Sequence, residues 1–473
     1  MNKNLIYDIH DKPPMGKRLI FAFQQFLAIL AATIAVPTII GLPTQIPAAI
    51  FGAGVGTLIY QLFTKFKSPV FLGSSFAFLG SLGIAITYGY AGIVIGTIAA
   101  GLVYVILAVV IHFVGTDWVA KLMPPVIIGP TVTIIGLSLA GNAMGDIVKS
   151  SGATADYNLV ALLCGLVAFA VIIVCATQKK YTMPKLIPYV IGIMAGYLVA
   201  AIFTAIGFAA DVDYLKIINY SPVIDNFVTA EGGFRGIEAF FTVPKFALIE
   251  GIRELATGEL SPEILAATDG EAAIIGFSGA LEVIIAFLPV ALVVFAEHIA
   301  DHKNLSSIID KDLISDPGLE KTLLGDGVGT IAGTCFGICP NTTYGESVGC
   351  VAVTKNASVV TITTTALMCI ILAFFNPLTA LLQTIPACVM GGVCLTLYGF
   401  IAVSGLKMLK EVELGLNKNL FVVASILIAG IGGLNIQITD NIQITPIATA
   451  LILGILTNAL LGFVEKKTGK DGE

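Results

Sequence analysis

The sequence predicts an all-α polytopic membrane protein with fourteen transmembrane segments. Three observations lead to this: the composition, a run of apolar segments and the placement of basic residues. Of its 473 residues, 56% are hydrophobic and only 12% are charged, and the mean hydropathy is +0.94. Soluble domains carry about a quarter charged residues. The chain is therefore expected to lie in a lipid bilayer.

The apolar segments are mostly close to the roughly 20 residues that cross a bilayer as a helix. Helices are the expected element because a spanning segment must satisfy its own backbone hydrogen bonds. Fourteen segments fit this pattern, at 19–42, 46–63, 69–87, 91–114, 118–142, 158–177, 185–208, 276–298, 321–338, 340–354, 358–376, 378–403, 418–435 and 446–464.

The basic residues predict the orientation. If residue 1 is cytoplasmic, twenty of the 25 Lys and Arg fall on the cytoplasmic side, and Lys149 with four residues of the 209–272 loop falls outside. Long loops are weak evidence of orientation, so short loops alone give twenty against one. This predicts a multi-pass protein of the cell (plasma/inner) membrane with both termini in the cytoplasm. No basic run suggests a nucleic-acid partner.

The third and tenth segments differ from ordinary spans. They begin "SPVFLGSSFAFLGSLGI" (68–84) and "CPNTTYGESVGCVAVTK" (339–355), and both pass from Pro through small hydroxyl residues to Gly. Matching positions in the two halves predict an inverted repeat of seven plus seven segments. Interrupted spans at such positions indicate a transport site near the bilayer midplane, because unwound backbone there must line a cavity or be buried.

Acidic residues inside the spans are the candidate functional groups, since such residues are costly and usually face a pathway or a partner. Glu346 lies within the tenth segment, with no basic residue nearby. Glu297 and Asp301 are one helical turn apart on one face, although their position near a span end equally fits a boundary role. Asp326 is either a neighbour of the site or a helix-packing group, and His302 is expected to be solvated.

Several of these stretches resemble a known family. "FAEHIADHKNLSSIIDKDLISDPGL", "LLGDGVGT" and "CPNTTYGESVG" are similar to the bacterial uracil permeases of the nucleobase-ascorbate transporter family, which are proton-coupled symporters. The similarity extends to 70–78, 390–399 and the Gln24-Gln25 region. It implies short antiparallel strands in segments 3 and 10, a core domain (16–115 and 273–376) and a gate domain (116–210 and 377–466). The loop at 211–272 lies outside the resemblance. Its acids and its lack of helical periodicity predict a solvated extracellular loop, with an interfacial position of 237–252 as the alternative.

The same resemblance assigns roles to individual residues. It implies that Glu297 and Glu346 bind the substrate, uracil or a related nucleobase, together with Gln25 and the backbone at Phe76 and Gly345. From the chemistry of buried carboxylates, we expect Glu297 and Asp301 to couple the substrate to the proton. The only coupling ion is then H+, with no cofactor and no metal. A homodimer is left open as the assembly.

Two departures from the family pattern keep alternatives open. Asp301 stands where the uracil permeases have a second histidine, and Ser347 stands where the family signature has Asn. A sodium-coupled or purine-selective (xanthine or urate) transporter of the same fold is therefore an alternative. A sulfate or bicarbonate carrier fits two acids less well, because an anion prefers cations and helix N-termini. An intramembrane enzyme is the remote alternative, since the four histidines are mostly scattered.

The predicted orientation can be tested by thiol labelling of intact cells. A cysteine introduced into the 209–272 loop should react with an impermeant thiol reagent, and a cysteine at 65–67 should not. The expectation rests on the distribution of Lys and Arg alone. Labelling at 65–67 without labelling of the loop would reverse the orientation.

Overall fold

The computed structural model describes residues 5–150, 157–229, 232–437 and 443–468. This part of the chain is mostly helical. The helices are α1 (Met15–Ile39), α2 (Ile46–Phe63), α3 (Leu79–Ile86), α4 (Gly89–Val114), α5 (Asp117–Leu122), α6 (Pro125–Ser138), α7 (Ala140–Asp146), α8 (Leu159–Thr177), α9 (Thr182–Leu186), α10 (Pro188–Ala210), α11 (Ser221–Phe227), α12 (Ala247–Thr257), α13 (Pro262–Ala267), α14 (Phe277–Ile309), α15 (Leu319–Cys335), α16 (Gly345–Thr354), α17 (Val359–Leu372), α18 (Asn376–Gln383), α19 (Ala387–Met408), α20 (Asn417–Ile431) and α21 (Pro446–Thr468).

Nine helical stretches among the described residues are long and apolar enough to cross a membrane. They are Met15–Ile39, Pro43–Phe63, Gly89–Val114, Pro125–Asp146, Leu159–Thr177, Pro188–Ala210, Phe277–Ile309, Ala387–Met408 and Pro446–Glu465. Shorter apolar helices occur at Phe76–Ile86, Val359–Leu372 and Asn417–Ile431. These observations establish a polytopic membrane fold.

Two short strands meet where the unusual third and tenth segments were predicted. Strand β1 (Leu72–Ser74) pairs antiparallel with β2 (Asn341–Thr343). Gly73 permits this pairing, because a Cβ at that position would lie 2.3 Å from the ring of Tyr344. β1 leads through a 3-10 turn into α3, and β2 leads into α16. Since the strands are antiparallel, the two helices leave the pair in opposite directions. A second pair, β3 (Ile436–Gln437) with β4 (Gln443–Ile444), lies elsewhere.

The first helix group consists of α1–α4 and α14–α17 with β1 and β2. Its centre is α15, which packs against α2 and α4. Close approach depends on glycine: a Cβ at Gly52 would lie 2.1 Å from the carbonyl oxygen of Gly333, and a Cβ at Gly101 would lie 2.8 Å from that of Gly327. Small residues let helix backbones approach closely in membranes, where packing rather than hydrophobic burial drives association.

The second helix group consists of α6–α10 and α19–α21. Here α19 packs against α6 and α8, α8 against α10, and α20 against α6 and α21. Glycine again sets the spacing, because a Cβ at Gly136 would lie 2.3 Å from the carbonyl oxygen of Tyr398. Contacts between the groups are fewer and involve α14 with α6 and α21, and α1 with α10 and α19.

The predicted twelfth segment, 378–403, is not one helix. It is divided into α18 and α19 at residues 384–386. Pro386 causes the break, because proline lacks the N–H of a helix interior and restricts the residue before it. The span is therefore α19, which begins later than predicted and continues to Met408.

The 211–272 loop is not simply solvated, as the sequence suggested. It contains α11, α12 and α13, and hydrogen bonds anchor it to both helix groups. The Thr204 hydroxyl of α10 accepts hydrogen bonds from the amides of Ile217 and Ile218, at 3.0 and 3.1 Å. Further on, the buried carboxylate of Glu254 in α12 accepts hydrogen bonds from the amides of Tyr90 (2.8 Å) and Ser261 (3.0 Å). One anchor is thus in each helix group.

Replacing Glu254 by Ala should destabilise the protein by about 1–3 kcal/mol, because it leaves two buried amides without an acceptor. Thermal unfolding in detergent should show a lower Tm. Glu259→Ala is the matched control, since Glu259 lies in the same loop with an exposed side chain. Equal unfolding temperatures for the two variants would mean that the buried anchor contributes nothing to stability.

Candidate functional site

A cavity of about 450 Å³ lies between the two helix groups. The first group contributes α1, α14 and the two strand–helix turns, and the second contributes α6, the α8–α10 region and α19. The lining residues include Ala28, Ser75, Phe76, Val132, Tyr189, Glu297, Asp301, Asn304, Thr343, Gly345, Glu346, Phe400, Ser404, Lys185 and Lys407. A cavity of this size is in the range that holds small organic ligands.

Five of the six residues predicted from the sequence line this cavity: Glu297, Asp301, Glu346, Gly345 and Phe76. They come from α14, α16 and the turn after β1, and Phe76 of that turn precedes the three acids by more than 200 residues in sequence. Three carboxylates therefore border one space between the helix groups.

Gln25 is the exception. It is not among the cavity-lining residues of the described chain, and its side-chain amide donates a hydrogen bond to the hydroxyl of Ser347 at 2.6 Å. Ser347 follows Glu346 in the first turn of α16. In this structure Gln25 therefore contacts the segment that carries Glu346 and does not face the cavity.

The two strand–helix turns border the cavity. Phe76 begins the 3-10 turn that follows β1, and Gly345 is the first residue of α16. The first N–H groups of a helix have no partner within the helix, and the helix dipole places partial positive charge there. Gly345 adds no side chain, so a ligand can approach the backbone closely. These turns can donate hydrogen bonds to carbonyl oxygens of a ligand.

Helix α14 places acids and histidines on different faces. Glu297 and Asp301 face the cavity, whereas His298 and His302 point into the first helix group. The ring of His298 contacts Asp326 at 2.7 Å and Thr322 at 3.0 Å. His302 contacts the hydroxyl of Tyr60 at 2.7 Å. The expectation that His302 is solvated is therefore wrong, since its side chain is fully buried.

The cavity acids have few protein partners. The Thr343 hydroxyl donates a hydrogen bond of 2.6 Å to Asp301 Oδ2. Glu297 Oε2 is buried, and so is the hydroxyl of Ser75; neither has a hydrogen-bond partner among the described residues. A buried polar group without a partner costs free energy. Both groups are therefore suited to bind a polar ligand.

Phe76 also borders a second cavity, of about 450 Å³, that lies on its other side between α3, α7 and α21. Its ring packs edge-to-face against Tyr398 of α19, with 5.4 Å between centroids. Phe76 thus borders both cavities and contacts the second helix group. Sequence reasoning noted the stretch 390–399 only for its resemblance and assigned no role to Tyr398.

Ser75, Thr343 and the two lysines of the cavity were also missed. Hydroxyl residues were noted in both interrupted segments, but nothing in the sequence identified which of them face a cavity. Lys185 and Lys407 contributed only to the charge count, because their presence at one cavity depends on how α9 and α19 are placed in the fold.

Comparison with known proteins places the chain in a family. The sequence model of the Permease family matches residues 16–439. The chain belongs to this family. It is thus a transmembrane permease and not an enzyme.

Among characterised relatives, the permease is 36% identical to the uracil permease of Bacillus caldolyticus over 464 residues, which cover 98% of this chain and 95% of that one. It is 33% identical to the uracil permease of Bacillus subtilis, with 97% and 96% covered. The Escherichia coli uracil permease is 30% identical, with 94% and 92% covered.

Solved structures extend the comparison of fold. The transmembrane domain of the cyanobacterial bicarbonate transporter BicA matches with a TM-score of 0.56 and 12% identity, covering 95% of the permease and 98% of that chain. The murine anion transporter Slc26a9, in its inward-facing state, gives a TM-score of 0.61 with 12% identity, covering 96% and 69%. At such identity the likeness concerns the fold alone.

Gly345→Val should abolish ligand binding while leaving expression nearly unchanged. A Cβ at residue 345 would lie 3.9 Å from Asp301 Oδ1, so the added methyl groups enter the cavity. Gly141→Val is the control, because no atom lies within 4 Å of a Cβ there and Gly141 does not line the cavity. Binding of radiolabelled base to purified protein is the measurement. Normal binding by Gly345→Val would place the ligand elsewhere.

Proposed function

We propose that this permease imports uracil by proton symport. One observation carries the proposal: Glu297, Asp301 and Glu346 line a single cavity together with two backbone turns. The uracil permeases that share 30–36% identity over nearly the whole chain support uracil as the substrate.

The cavity has the groups that uracil requires. The base presents two N–H donors and two carbonyl acceptors around a planar ring. Carboxylates of Glu297 and Glu346 accept from N–H groups, and the backbone amides near Phe76 and Gly345 donate to carbonyl oxygens. In a site with little water, a hydrogen-bond donor or acceptor without a partner costs free energy. The site therefore selects against ligands whose donors and acceptors are arranged differently from those of uracil.

Proton coupling is assigned to Glu297 and Asp301. Burial in a low-dielectric region favours the neutral form of a carboxylate, and solvation restores the charged form. The two acids also lie one helical turn apart, so their negative charges repel and simultaneous ionisation of both is unfavourable. A change in solvation as the helix groups move would then take up and release a proton.

Alternating access would come from movement of one helix group against the other. The first group corresponds to the core domain and the second to the gate domain, and the cavity lies between them. The proposal includes fourteen spans in two inverted repeats of seven, with both termini in the cytoplasm of the cell. The antiparallel strands, from which α3 and α16 leave in opposite directions, support that symmetry.

A sodium-coupled or purine-selective transporter is the second candidate. Asp301 favours it, because a third carboxylate borders the cavity where the uracil permeases have a histidine. Oxygen ligands suit a hard cation, and a cavity of about 450 Å³ is not filled by a single pyrimidine ring. Uptake of uracil against xanthine, with a proton or a sodium gradient, separates the two candidates.

Two of the three acids in the cavity, Glu346 and Asp301, should respond differently to amide substitution. Glu346→Gln should weaken uracil binding by about 1–3 kcal/mol, or roughly 5- to 150-fold in Kd, because the amide adds a donor where an acceptor is needed. Asp301→Asn should still bind uracil but fail to accumulate it, leaving only exchange of internal for external base. Calorimetry on purified protein measures binding, and vesicles with an imposed pH gradient measure accumulation.

Two matched controls accompany these variants. Glu282→Gln changes an acid near the start of α14 that is hydrogen-bonded by Tyr88 and does not line the cavity. Asp310→Asn changes the residue that ends the same helix. Both controls should bind and accumulate uracil. If Glu346→Gln binds uracil like the parent protein, Glu346 does not bind the substrate. If Asp301→Asn accumulates uracil like the parent protein, Asp301 does not take part in proton coupling.

A further inference from the structure

Residues 5–11 precede α1 and contact the ends of α14 and α16; we call them the N-terminal strap. The carbonyl of Lys355, which follows α16, accepts hydrogen bonds from the amides of Ile6 (2.8 Å) and Tyr7 (3.3 Å). The carbonyl of Tyr7 in turn accepts a hydrogen bond of 2.9 Å from the amide of Ala357. The backbone of the strap is thus bound to the link between α16 and α17.

An ion pair binds the strap to α14. The ammonium group of Lys311 donates hydrogen bonds to both carboxylate oxygens of Asp8, at 2.8 and 2.9 Å. Lys311 comes directly after Asp310, which caps the end of α14. The strap is therefore bound to the end of α14 as well as to the end of α16.

Apolar packing beneath the strap extends to the wall of the cavity. The side chain of Ile9 is only 4% exposed. It belongs to a cluster that includes Leu305 and Ile309 of α14 and Val348 and Val351 of α16. Val348 also lines the cavity. The cluster that contains Ile9 thus joins both helices and reaches the cavity.

The acids lie at the same distance from the strapped ends of their helices. Asp301 is eight residues before Ile309, the last residue of α14. Glu346 is eight residues before Thr354, the last residue of α16. At 1.5 Å per residue, each acid is about 12 Å from the end of its helix. Close to the cavity, Thr343 links the segment before α16 to Asp301, and the strap supplies the link at the other end.

We propose that the N-terminal strap is a positioning element of the substrate site. It holds α14 and α16 at the separation at which their acids bind the base, and Asp8 and Lys311 are the positioning pair. The inference rests on the proposed function, because the base is the ligand whose binding the strap supports. Groups that bind a ligand must be held to within about 0.5 Å of their productive geometry. Acids on two separate helices need tertiary contacts to meet that condition.

A contribution to stability alone is the other role that this ion pair could have. The side chains of Asp8 and Lys311 are 35% and 41% exposed, and exposed ion pairs contribute little to stability. Loss of the pair should therefore change the affinity for the base while the unfolding temperature stays nearly constant.

Reversing the charge of one member of the pair tests the proposal. In full-length Lys311→Glu protein two carboxylates face each other, so the strap should leave the end of α14. The Kd for uracil, measured by calorimetry on purified protein, should rise roughly fivefold or more, because misaligned hydrogen bonds weaken steeply. In vesicles, KM should rise while Vmax per folded molecule is unchanged. Lys311→Gln is a milder variant that should shift the Kd in the same direction.

Restoring the pair in the opposite sense separates positioning from a general charge effect. Asp8→Lys in the Lys311→Glu background should return the Kd to near the parent value. Lys12→Glu is the matched control, because it makes the same charge change next to the strap. Its side chain is exposed and has no ion pair among the described residues. Its Kd should equal that of the parent protein.

The results that would overturn the proposal differ from those that would overturn the uracil site. If the parent and both Lys311 variants bind uracil with the same Kd, the strap does not position the acids and the proposed function stands. Fewer binding sites at the parent Kd, with a lower Tm, would mean that the strap only stabilises the fold. If Asp8→Lys does not restore the Kd, the ion pair is not the positioning contact. If the parent protein binds no uracil, the proposed function itself fails and the strap has no base to position.

Discussion

Interrupted backbone in a membrane protein has to find hydrogen bonds away from water, and the rest of this structure depends on how β1 and β2 meet that requirement. Their pairing extends beyond the strands, since the amide of Ser75 donates to Pro340 and that of Tyr344 donates to Phe71. Each strand thus supplies hydrogen-bond partners for the backbone of the other, which lipid could not supply. Because β1 and β2 pair with each other, the helical segments that follow them begin at the same cavity.

The second constraint is electrostatic, and α14 meets it by dividing its polar residues between two faces. On the inner face, His298 has Asp326 and Thr322 as partners, so these polar groups are compensated within the protein. On the cavity face, Asp301 has one hydroxyl partner and Glu297 retains an oxygen without one among the described residues. Along α14, the carboxylate oxygen without a partner thus lies on the side where a ligand can supply one.

Much of this arrangement follows from the sequence. Hydropathy and charge predict a polytopic membrane protein, and the polar interruptions in two apolar segments predict where the backbone leaves the helix. The acids could be named because a carboxylate inside an apolar segment is rare. Their meeting in one cavity depends on tertiary contacts between distant segments, and only the family resemblance anticipated it.

Other features could not be obtained from local pattern. His302 was expected to be solvated, but its burial depends on the tertiary contact of α14 with Tyr60 of α2. Gln25 was expected to contact the ligand, yet its amide is engaged by Ser347, a contact between residues 322 positions apart. The helices of the 211–272 loop are short, and their anchoring depends on contacts with α4 and α10.

That loop has a mechanical consequence. Its beginning is bound to α10 of the second helix group, through Thr204, and its later part is bound to the first, through Thr242 and Glu254. If the groups slide past each other, the chain between Ile218 and Thr242 acts as a tether whose length sets the largest displacement. Shortening or cross-linking this stretch would then limit the stroke of the movement without touching the cavity, and lengthening it would relax that limit.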